Sequence, residues 1–415
     1  MFIDYDKMKS IALYYSTKNQ SAEVATNDVP KTKVEGAVES DSPTGEENKS
    51  TPKAQQNGNL SAEFHVNIWK VEEGRVFLHP RLCLDMGVLF PKSCKALCFY
   101  LPFEIENRII DLSDYLSSDK QTLSAVFNTE VKCWPNGNQN FYNVIFPEDT
   151  NRQFYLYKLG DLNIDKTPVG NDSKDGIFLT IRINGEPSRN EVESDIKSDQ
   201  IYVRFRLMLK KSCSFVRSEH ISNDLLQAAF SSTDLYDIRI NESRVLSSKI
   251  KEQMELKSFQ PFMFEKIHLF YMVDTRENVD NGSSLKQDTR IVEKEQWGHY
   301  LPVSSLHNTT FVAYHWKKRR KVKNGTLEGP FESFNVFFST IYPKTNGWRL
   351  AAYTFVVVML GFLGSMLSFR LHELTCDWWP SFVRPTVIVM MFLFVVGYFI
   401  MQNFGGKWFE IFRKR

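Results

Sequence analysis

The chain has 415 residues, of which 24% are charged and 42% hydrophobic, and its 51 Lys and Arg against 49 Asp and Glu leave a formal net charge of +2. This length predicts two or three domain equivalents, and the balanced charge argues against a protein that binds nucleic acid along its whole length. Six cysteines in 415 residues are too few for a disulfide-stabilised scaffold.

The N-terminal residues 1–15 form a short segment in which charged side chains interrupt the apolar ones. It has no continuous apolar run, so it does not predict a secretory signal peptide, and we expect the region before residue 346 to be cytosolic. We expect this tethered segment to dock as a terminal helix or strand on its own domain; a partner or a membrane is the alternative. Residues 16–60 lack aromatic side chains and are rich in polar ones, which predicts a disordered linker.

Residues 61–345 predict a β-rich domain, with a division near residue 216 as an alternative. Apolar and polar side chains alternate along three stretches, as is typical of strands: EFHVNIWKV, DGIFLTIRIN and QIYVRFRLMLK. Three more are rich in β-branched and aromatic residues, which also predicts strands: NFYNVIF, QFYLYKL and KIHLFYMV. Asn136 and Gly137 predict a hairpin, and SNDLLQAAFSS predicts a short helix. FESFNVFFSTIY fits a helix or a strand, and we expect it to connect the domain to the C-terminal segments.

Two uncharged segments of 20 residues each, 350–369 and 385–404, end the chain. At ~1.5 Å per residue each spans about 30 Å, the thickness of a bilayer core. We therefore expect an α+β fold, with a β-rich cytosolic region followed by a C-terminal transmembrane helical hairpin. Its parts are two transmembrane helices, an external loop, and a basic cytosolic tail: residues 346–369, 385–404, 370–384 and 405–415.

Lys and Arg flank the two segments and are sparse between them, so the positive-inside rule places both termini in the cytoplasm and the protein in the inner membrane. Four tryptophans are expected as interfacial anchors: Trp348, Trp378, Trp379 and Trp408. Small residues spaced four apart predict a helix-packing face that favours a homo-oligomer: Gly361, Gly364, Ser365 and Ser368.

A basic run precedes the first predicted span, and we expect it to contact anionic lipid: Lys317, Lys318, Arg319, Arg320, Lys321 and Lys323. Nucleic-acid binding and a solvated hairpin tip are the alternatives. Arginines on the polar faces of predicted strands could bind an anionic ligand such as a nucleotide: Arg182, Arg204, Arg206 and Arg239. An ordinary solvated sheet face is the alternative for them.

The sequence lacks a phosphate loop, a nucleophile elbow or a CxxC pair, so we assign no catalytic residue, no cofactor and no metal. One cluster has metal-like residue types: His79, Cys83, Cys94 and Cys98. Its spacing is wider than that of a zinc knuckle, and Cys83 and Cys98 lie in apolar runs, where cysteine behaves as a small hydrophobic residue.

The order of a sensing domain followed by a two-helix hairpin resembles two-span membrane effectors of bacterial anti-phage abortive-infection systems, such as those linked to retrons or to cyclic-oligonucleotide signalling. The resemblance implies a hairpin that assembles, with the lipid bilayer as partner, and disrupts the membrane. The alternative is a tethered module that binds a protein or a nucleotide, in which the hairpin only anchors.

Overall fold

The structure is a computed structural model of the 415-residue chain. It describes residues 9–18, 60–71, 81–160, 163–169, 175–188, 198–209, 215–219, 231–285, 287–292, 297, 300, 310–323, 326–343 and 347–373. This described part is β-rich, with 55% of its residues in strands and 17% in helices.

The strands in chain order are β1 (Ala12–Ser16), β2 (Ser61–Val71), β3 (Arg81–Pro91), β4 (Ala96–Leu101), β5 (Ile105–Asp111), β6 (Lys132–Pro135), β7 (Phe141–Phe146), β8 (Asp149–Tyr157), β9 (Ile164–Pro168), β10 (Ile177–Arg182), β11 (Gln200–Leu209), β12 (Val216–Glu219), β13 (Ser231–Ile240), β14 (Gln260–Pro261), β15 (Met263–Asp274), β16 (Asn278–Asn281), β17 (Gln287–Val292), β18 (Phe311–Arg319), β19 (Val322–Lys323), β20 (Thr326–Leu327) and β21 (Phe334–Pro343). Four helices lie among the described residues: α1 (Ser113–Ser118), α2 (Lys120–Phe127), α3 (Ser248–Leu256) and α4 (Gly347–Glu373).

A ten-stranded sheet organises the fold, in the order β17-β18-β15-β2-β3-β11-β8-β7-β6, with β5 also paired to β11. The six strand predictions are confirmed, because each stretch lies on one of these strands or on β10. The hairpin prediction is also confirmed, since β6 and β7 pair antiparallel across residues 136–140. The predicted helix at 222–232 lies outside the described residues except for its last two positions, 231 and 232.

The two faces of this sheet differ because its strands alternate. One face is apolar: Phe64 of β2 lies 6.4 Å from Phe99 of β4 between ring centroids, and Phe99 lies 5.2 Å from Phe205 of β11. These contacts join the large sheet to a second sheet, of order β14-β1-β4-β10-β9, in the main core. The opposite face carries polar side chains and is partly covered by Leu116 of α1 and Phe127 of α2.

The N-terminal segment contributes β1, which pairs antiparallel with β4 and β14. All five residues of β1 are buried, so it docks on its own domain as a strand. The predicted linker lies outside the described residues, apart from its first three positions and residue 60.

The stretch that fitted a helix or a strand is a strand. β21 pairs with β13 and β16 in a four-stranded sheet, and its Phe334, Val336 and Phe338 are buried while Phe337 is 41% exposed. This two-residue period decides between the alternatives.

The described residues fall into two compact units, one with all the strands and α1–α3 and one with α4. The predicted transmembrane hairpin is wrong: among the described residues, no helix combines the length and the apolarity that crossing a membrane requires. Three further predictions depended on this hairpin and are therefore also wrong: the fold class, the membrane assignments and the multi-pass inner-membrane location.

Within α4, the predicted helix-packing positions Gly361 and Gly364 have no atom within 4 Å of where a Cβ would lie, and Ser365 Oγ donates to the Gly361 carbonyl at 2.9 Å. The side chains of Ser368 and Trp348 lie outside the described residues. So do the rest of the predicted external loop beyond residue 373, the second predicted span, the basic tail, and Trp378, Trp379 and Trp408.

Candidate functional site

A cavity of about 480 Å³ lies on the polar face of the ten-stranded sheet. We call it the histidine pocket, after the three histidines that line its sheet side: His65, His268 and His315. Phe127 of α2 and Phe146 of β7 form part of its opposite wall. Its charged lining residues are Glu63, Glu148, Asp149, Arg152, Lys266, Asp288, Arg290, Lys317 and Arg319.

Strand register explains why these side chains meet. β2 pairs parallel with β15, and β15 pairs antiparallel with β18, so residues far apart in the sequence face one another across the sheet. Two adjacent rows run across the three strands: Glu63, Lys266 and Arg319, then His65, His268 and Lys317. Because side chains on a strand alternate between faces, both rows lie on the polar face.

Glu63 is the acidic centre of the pocket. Its Oε1 accepts from Lys266 Nζ at 2.6 Å and lies 3.0 Å from His65 Nε2 and 3.6 Å from an Arg152 nitrogen. Burial raises the pKa of this carboxyl, but the His65 hydrogen bond and the Lys266 charge outweigh it and hold the pKa well below its usual range. Glu63 is therefore an ionised, buried carboxylate.

His65 is fixed from both ring nitrogens. Its Nδ1 lies 3.1 Å from the hydroxyl of Tyr202, which also accepts from Arg204 Nη1 at 3.0 Å. Burial lowers the pKa of His65, the Glu63 contact raises it, and the Arg204 charge lowers it, with a net decrease. The imidazole is therefore neutral at physiological pH.

His268 is held from one side only. Its Nδ1 lies 2.8 Å from His315 Nε2, whereas its Nε2 is buried without a hydrogen-bond partner in the described part of the chain and lies 4.0 Å from Glu63 Oε1. Burial lowers the pKa of His268 to about 2, and of His315 to about 4. A buried nitrogen without a hydrogen-bond partner costs free energy. A ligand atom that bonds His268 Nε2 would therefore recover that cost.

Arg204 and Arg206 are not on a solvated sheet face but are buried, at 0% and 1% exposure. Arg206 makes a bidentate ion pair with Asp85, at 2.6 and 2.9 Å, and donates to the Tyr300 carbonyl at 2.8 Å. Arg204 donates to the hydroxyl of Tyr300 at 2.8 Å and, through Nη2, to Asn67 Oδ1 at 2.9 Å once that amide is oriented to accept. All these donors are occupied within the protein.

The other two predicted arginines lie elsewhere. Arg182 pairs with Asp165 on the second sheet, and Arg239 of β13 pairs with Asp237 at 2.7 Å on the four-stranded sheet. The four arginines that were grouped in the sequence are thus distributed over three sheets.

The basic run divides between two faces of β18. Lys317 and Arg319 line the histidine pocket, whereas Lys318 donates to the Ser333 carbonyl at 2.7 Å. Arg320 pairs with Glu265 at 3.2 Å, and Lys321 and Lys323 continue towards and into β19. The run is not one surface, and the membrane location on which its predicted lipid contact depended is wrong.

The predicted cysteine cluster shows no metal-like arrangement in the residues that are described. Cys83, Cys94 and Cys98 are buried free thiols, and burial raises the pKa of Cys94 to about 12 and of Cys98 to about 11. His79 lies outside the described residues. Protonated thiols in apolar surroundings are poor metal ligands.

The sequence contained a signal for the pocket that spacing rules do not use. In EFHVNIW, Phe64, Val66 and Ile68 form the apolar face, so Glu63 and His65 necessarily share the other face. Their partner His268 follows about two hundred residues later, in a stretch that was assigned only as a strand. Comparison with known proteins gives no further guide, since no protein-family model and no curated protein matches the chain.

Proposed function

We propose that this protein is a binding module for a small phosphorylated ligand of nucleotide size, held in the histidine pocket. The observation that carries the proposal is the convergence of Arg152, Lys266, Lys317 and Arg319 on one cavity with aromatic walls. Its volume of about 480 Å³ is in the ~300–1,000 Å³ range of small-molecule sites.

Two of the cations are available to a ligand. Lys317 and Arg319 make no ion pair or hydrogen bond with other described side chains, although both line the pocket. Arg152 and Lys266 share Glu63, the first at 3.6 Å and the second at 2.6 Å. Arginine forks and lysine ammonium groups are the usual partners of phosphate oxygens.

The buried charge beneath the pocket favours an anion as well. Asp85 pairs with Arg206, whereas Arg204 donates to the Tyr300 hydroxyl, so the two guanidinium groups and the one carboxylate together carry one excess positive charge. Arg204 contacts Tyr202, which contacts His65 on the pocket side. A charge that is poorly screened by water acts over several ångströms, and this one contributes positive potential to the pocket floor.

Aromatic rings supply the second half of a nucleotide site. Phe127, Phe146 and Phe270 line the cavity. Phe270 already stacks on His315, with ring centroids 4.1 Å apart and planes 4° from parallel. Planar bases stack on such rings with a gain of ~1–3 kcal/mol per base.

Calorimetric titration with a panel of the four ribonucleoside 5′-monophosphates, with a chelator present, tests this proposal. We expect at least one to bind, and Arg319→Ala and Arg152→Ala each to weaken it about 10–100-fold, because each removes a charge-assisted hydrogen bond. Arg244→Ala is the matched control, since Arg244 is 83% exposed and pairs with Glu242 away from the cavity.

Equal binding by the wild type and both pocket variants, or no binding by any member of the panel, would reject the proposal. The chain layout suggested a membrane-disrupting function, which depended on the predicted transmembrane hairpin. Because that prediction is wrong, we do not propose this function.

A further inference from the structure

The sheet side of the histidine pocket brings together three potential metal ligands. Donor atoms of Glu63, His65 and His268 all lie within 4.8 Å of one another. Zinc ligands at ~2.0–2.2 Å from a tetrahedral ion lie about 3.4 Å apart. The separations from Glu63 Oε1, 3.0 Å to His65 Nε2 and 4.0 Å to His268 Nε2, bracket that value.

We propose that Glu63, His65 and His268 bind a divalent transition-metal ion of the zinc class, with its remaining coordination position facing the cavity. Two imidazole nitrogens and one carboxylate oxygen suit Zn²⁺, whereas Mg²⁺ and Ca²⁺ prefer sites made of oxygen. This site goes beyond the proposed ligand binding and does not depend on it.

The groups around the two histidines are placed as metal sites require. A metal-bound histidine donates its second N–H to a neighbouring acceptor, which fixes the ring. For His65 that acceptor is the hydroxyl of Tyr202 at 3.1 Å, and for His268 it is Nε2 of His315 at 2.8 Å. Both rings can therefore present Nε2 to one point beside Glu63.

One ligand atom has no other partner: His268 Nε2 is buried and makes no hydrogen bond with the described residues. Glu63 Oε1, whose separations from the two imidazole nitrogens fit a metal, already accepts from Lys266 and contacts His65 and Arg152. His65 Nε2 must exchange its hydrogen bond to Glu63 for the metal, and its proton then moves to Nδ1, facing Tyr202. The metal must also compete with Lys266 for Glu63 Oε1.

The ammonium group of Lys266 opposes metal binding, because it lies 2.6 Å from Glu63 Oε1 and repels a second cation. Removing Lys266 should therefore strengthen metal binding, whereas removing a ligand should weaken it.

The test is a zinc titration of the full chain after treatment with a chelator and without nucleotide, followed by Co²⁺ substitution and visible absorption spectroscopy. We expect one equivalent of Zn²⁺ to bind. Glu63→Gln and His268→Phe should each weaken it about 100-fold or more, beyond the ~10–100-fold typical of outer-shell changes. Lys266→Met should strengthen it about tenfold, because it removes the competing charge.

Glu242→Gln is the matched control: Glu242 pairs with Arg244 and does not line the cavity, so the zinc affinity of this variant should equal that of the wild type. Circular dichroism and melting curves establish whether each variant is folded. If one of the two ligand variants does not fold, the other still tests the proposal. Absence of stoichiometric zinc binding would overturn the proposal. So would unchanged affinity in folded Glu63→Gln and His268→Phe, or Co²⁺–thiolate absorption, which would place the metal on cysteine.

Because the nucleotide titrations contain chelator and the zinc titrations contain no nucleotide, either proposal can fail while the other stands. If both hold, each ligand should tighten the binding of the other by the same factor, since coupling between two sites is reciprocal.

Discussion

Two buried polar clusters lie side by side on the same face of the ten-stranded sheet, and they differ in whether their hydrogen bonds are complete. In the first, Arg206 reaches Asp85 and Tyr300 and Arg204 reaches Tyr300 at 2.6–2.9 Å, and every guanidinium nitrogen of the two has a hydrogen-bond partner. In the second, His268 has a buried nitrogen with no described partner and borders a cavity. Tyr202 joins the two, since its hydroxyl contacts both Arg204 and His65.

The difference indicates which cluster supports the fold and which is available to a ligand. A buried charge whose partners are all within the protein fixes the packing around it, and replacing it disturbs the fold. A buried polar atom without a partner costs free energy in the unliganded protein, and a ligand that contacts it recovers that cost. Residue type alone does not distinguish the two cases, since arginine is common in both.

The largest effect should come from breaking the complete cluster. Asp85→Asn leaves the buried Arg206 guanidinium without its carboxylate, and we expect a loss of about 3–5 kcal/mol in the free energy of unfolding, measured by urea denaturation. The matched control is Asp114→Asn, whose ion pair with Lys158 is 42–56% exposed and is expected to contribute at most ~1 kcal/mol. Equal losses in both variants would mean that the cluster does not support the fold.

The junction between the clusters should be the next most sensitive. A Cβ on Gly87 would lie 2.1 Å from the hydroxyl of Tyr202, so Gly87→Ala must displace that ring from both Arg204 and His65. We expect a loss of about 1–3 kcal/mol in urea denaturation together with weaker zinc binding. Gly329→Ala, where no atom lies within 4 Å of the new Cβ, should change neither quantity. Normal stability in Gly87→Ala would show that the close contact is absent.

Acidification should weaken the incomplete cluster. The folded pKa of His268, about 2, lies below the ~6.5 of an unfolded chain, so the unfolded state binds more protons as the pH falls below ~6.5. The stability that neutral His268 provides is therefore present above pH ~6.5 and is lost below it, by about 2 kcal/mol at pH ~5. Urea denaturation at pH ~7.5 and ~5 should show this loss in the wild type but less of it in His268→Phe. An identical loss in both would contradict the assignment.

The smallest effect on stability should come from the open wall of the pocket. Arg319 is exposed, so Arg319→Ala should change the free energy of unfolding by no more than ~0.5 kcal/mol. Its effect on nucleotide affinity should nevertheless be about 10–100-fold, which separates a binding residue from a supporting one. If Arg319→Ala lost as much stability as Asp85→Asn, Arg319 would support the fold in the same way as the complete cluster, which would contradict its assignment as a binding residue.

Alternation of apolar and polar side chains predicted β2, β10 and β11, and a high content of β-branched and aromatic residues predicted β7, β8 and β15. It could not tell which polar face would be solvated. Arg204 and Arg206 appeared to face water because Tyr300, which covers them, follows almost one hundred residues later. Glu63, His65 and His268 were missed for a related reason, since parallel pairing of β2 with β15 joins residues about two hundred positions apart.

The C-terminal prediction combined apolar run length, flanking Lys and Arg, and tryptophan positions, and it was nevertheless wrong. The uncharged run did predict a helix, and α4 occupies it, but in the described part of the chain no helix is sufficient to cross a membrane. The basic run was read as one surface because its residues are contiguous. On a strand, contiguous side chains point to opposite faces, and β18 sends Lys317 and Arg319 to the pocket and Lys318 away from it.

A crystal structure of the protein grown with the tightest-binding nucleotide of the panel would show which cluster holds the ligand. We expect phosphate oxygens on Lys317 and Arg319 in the histidine pocket, with the base against an aromatic wall and the Arg206–Asp85 ion pair unchanged. A nucleotide bound to Arg204 and Arg206, with Tyr300 displaced, would contradict this expectation, because the complete cluster would then be the binding site.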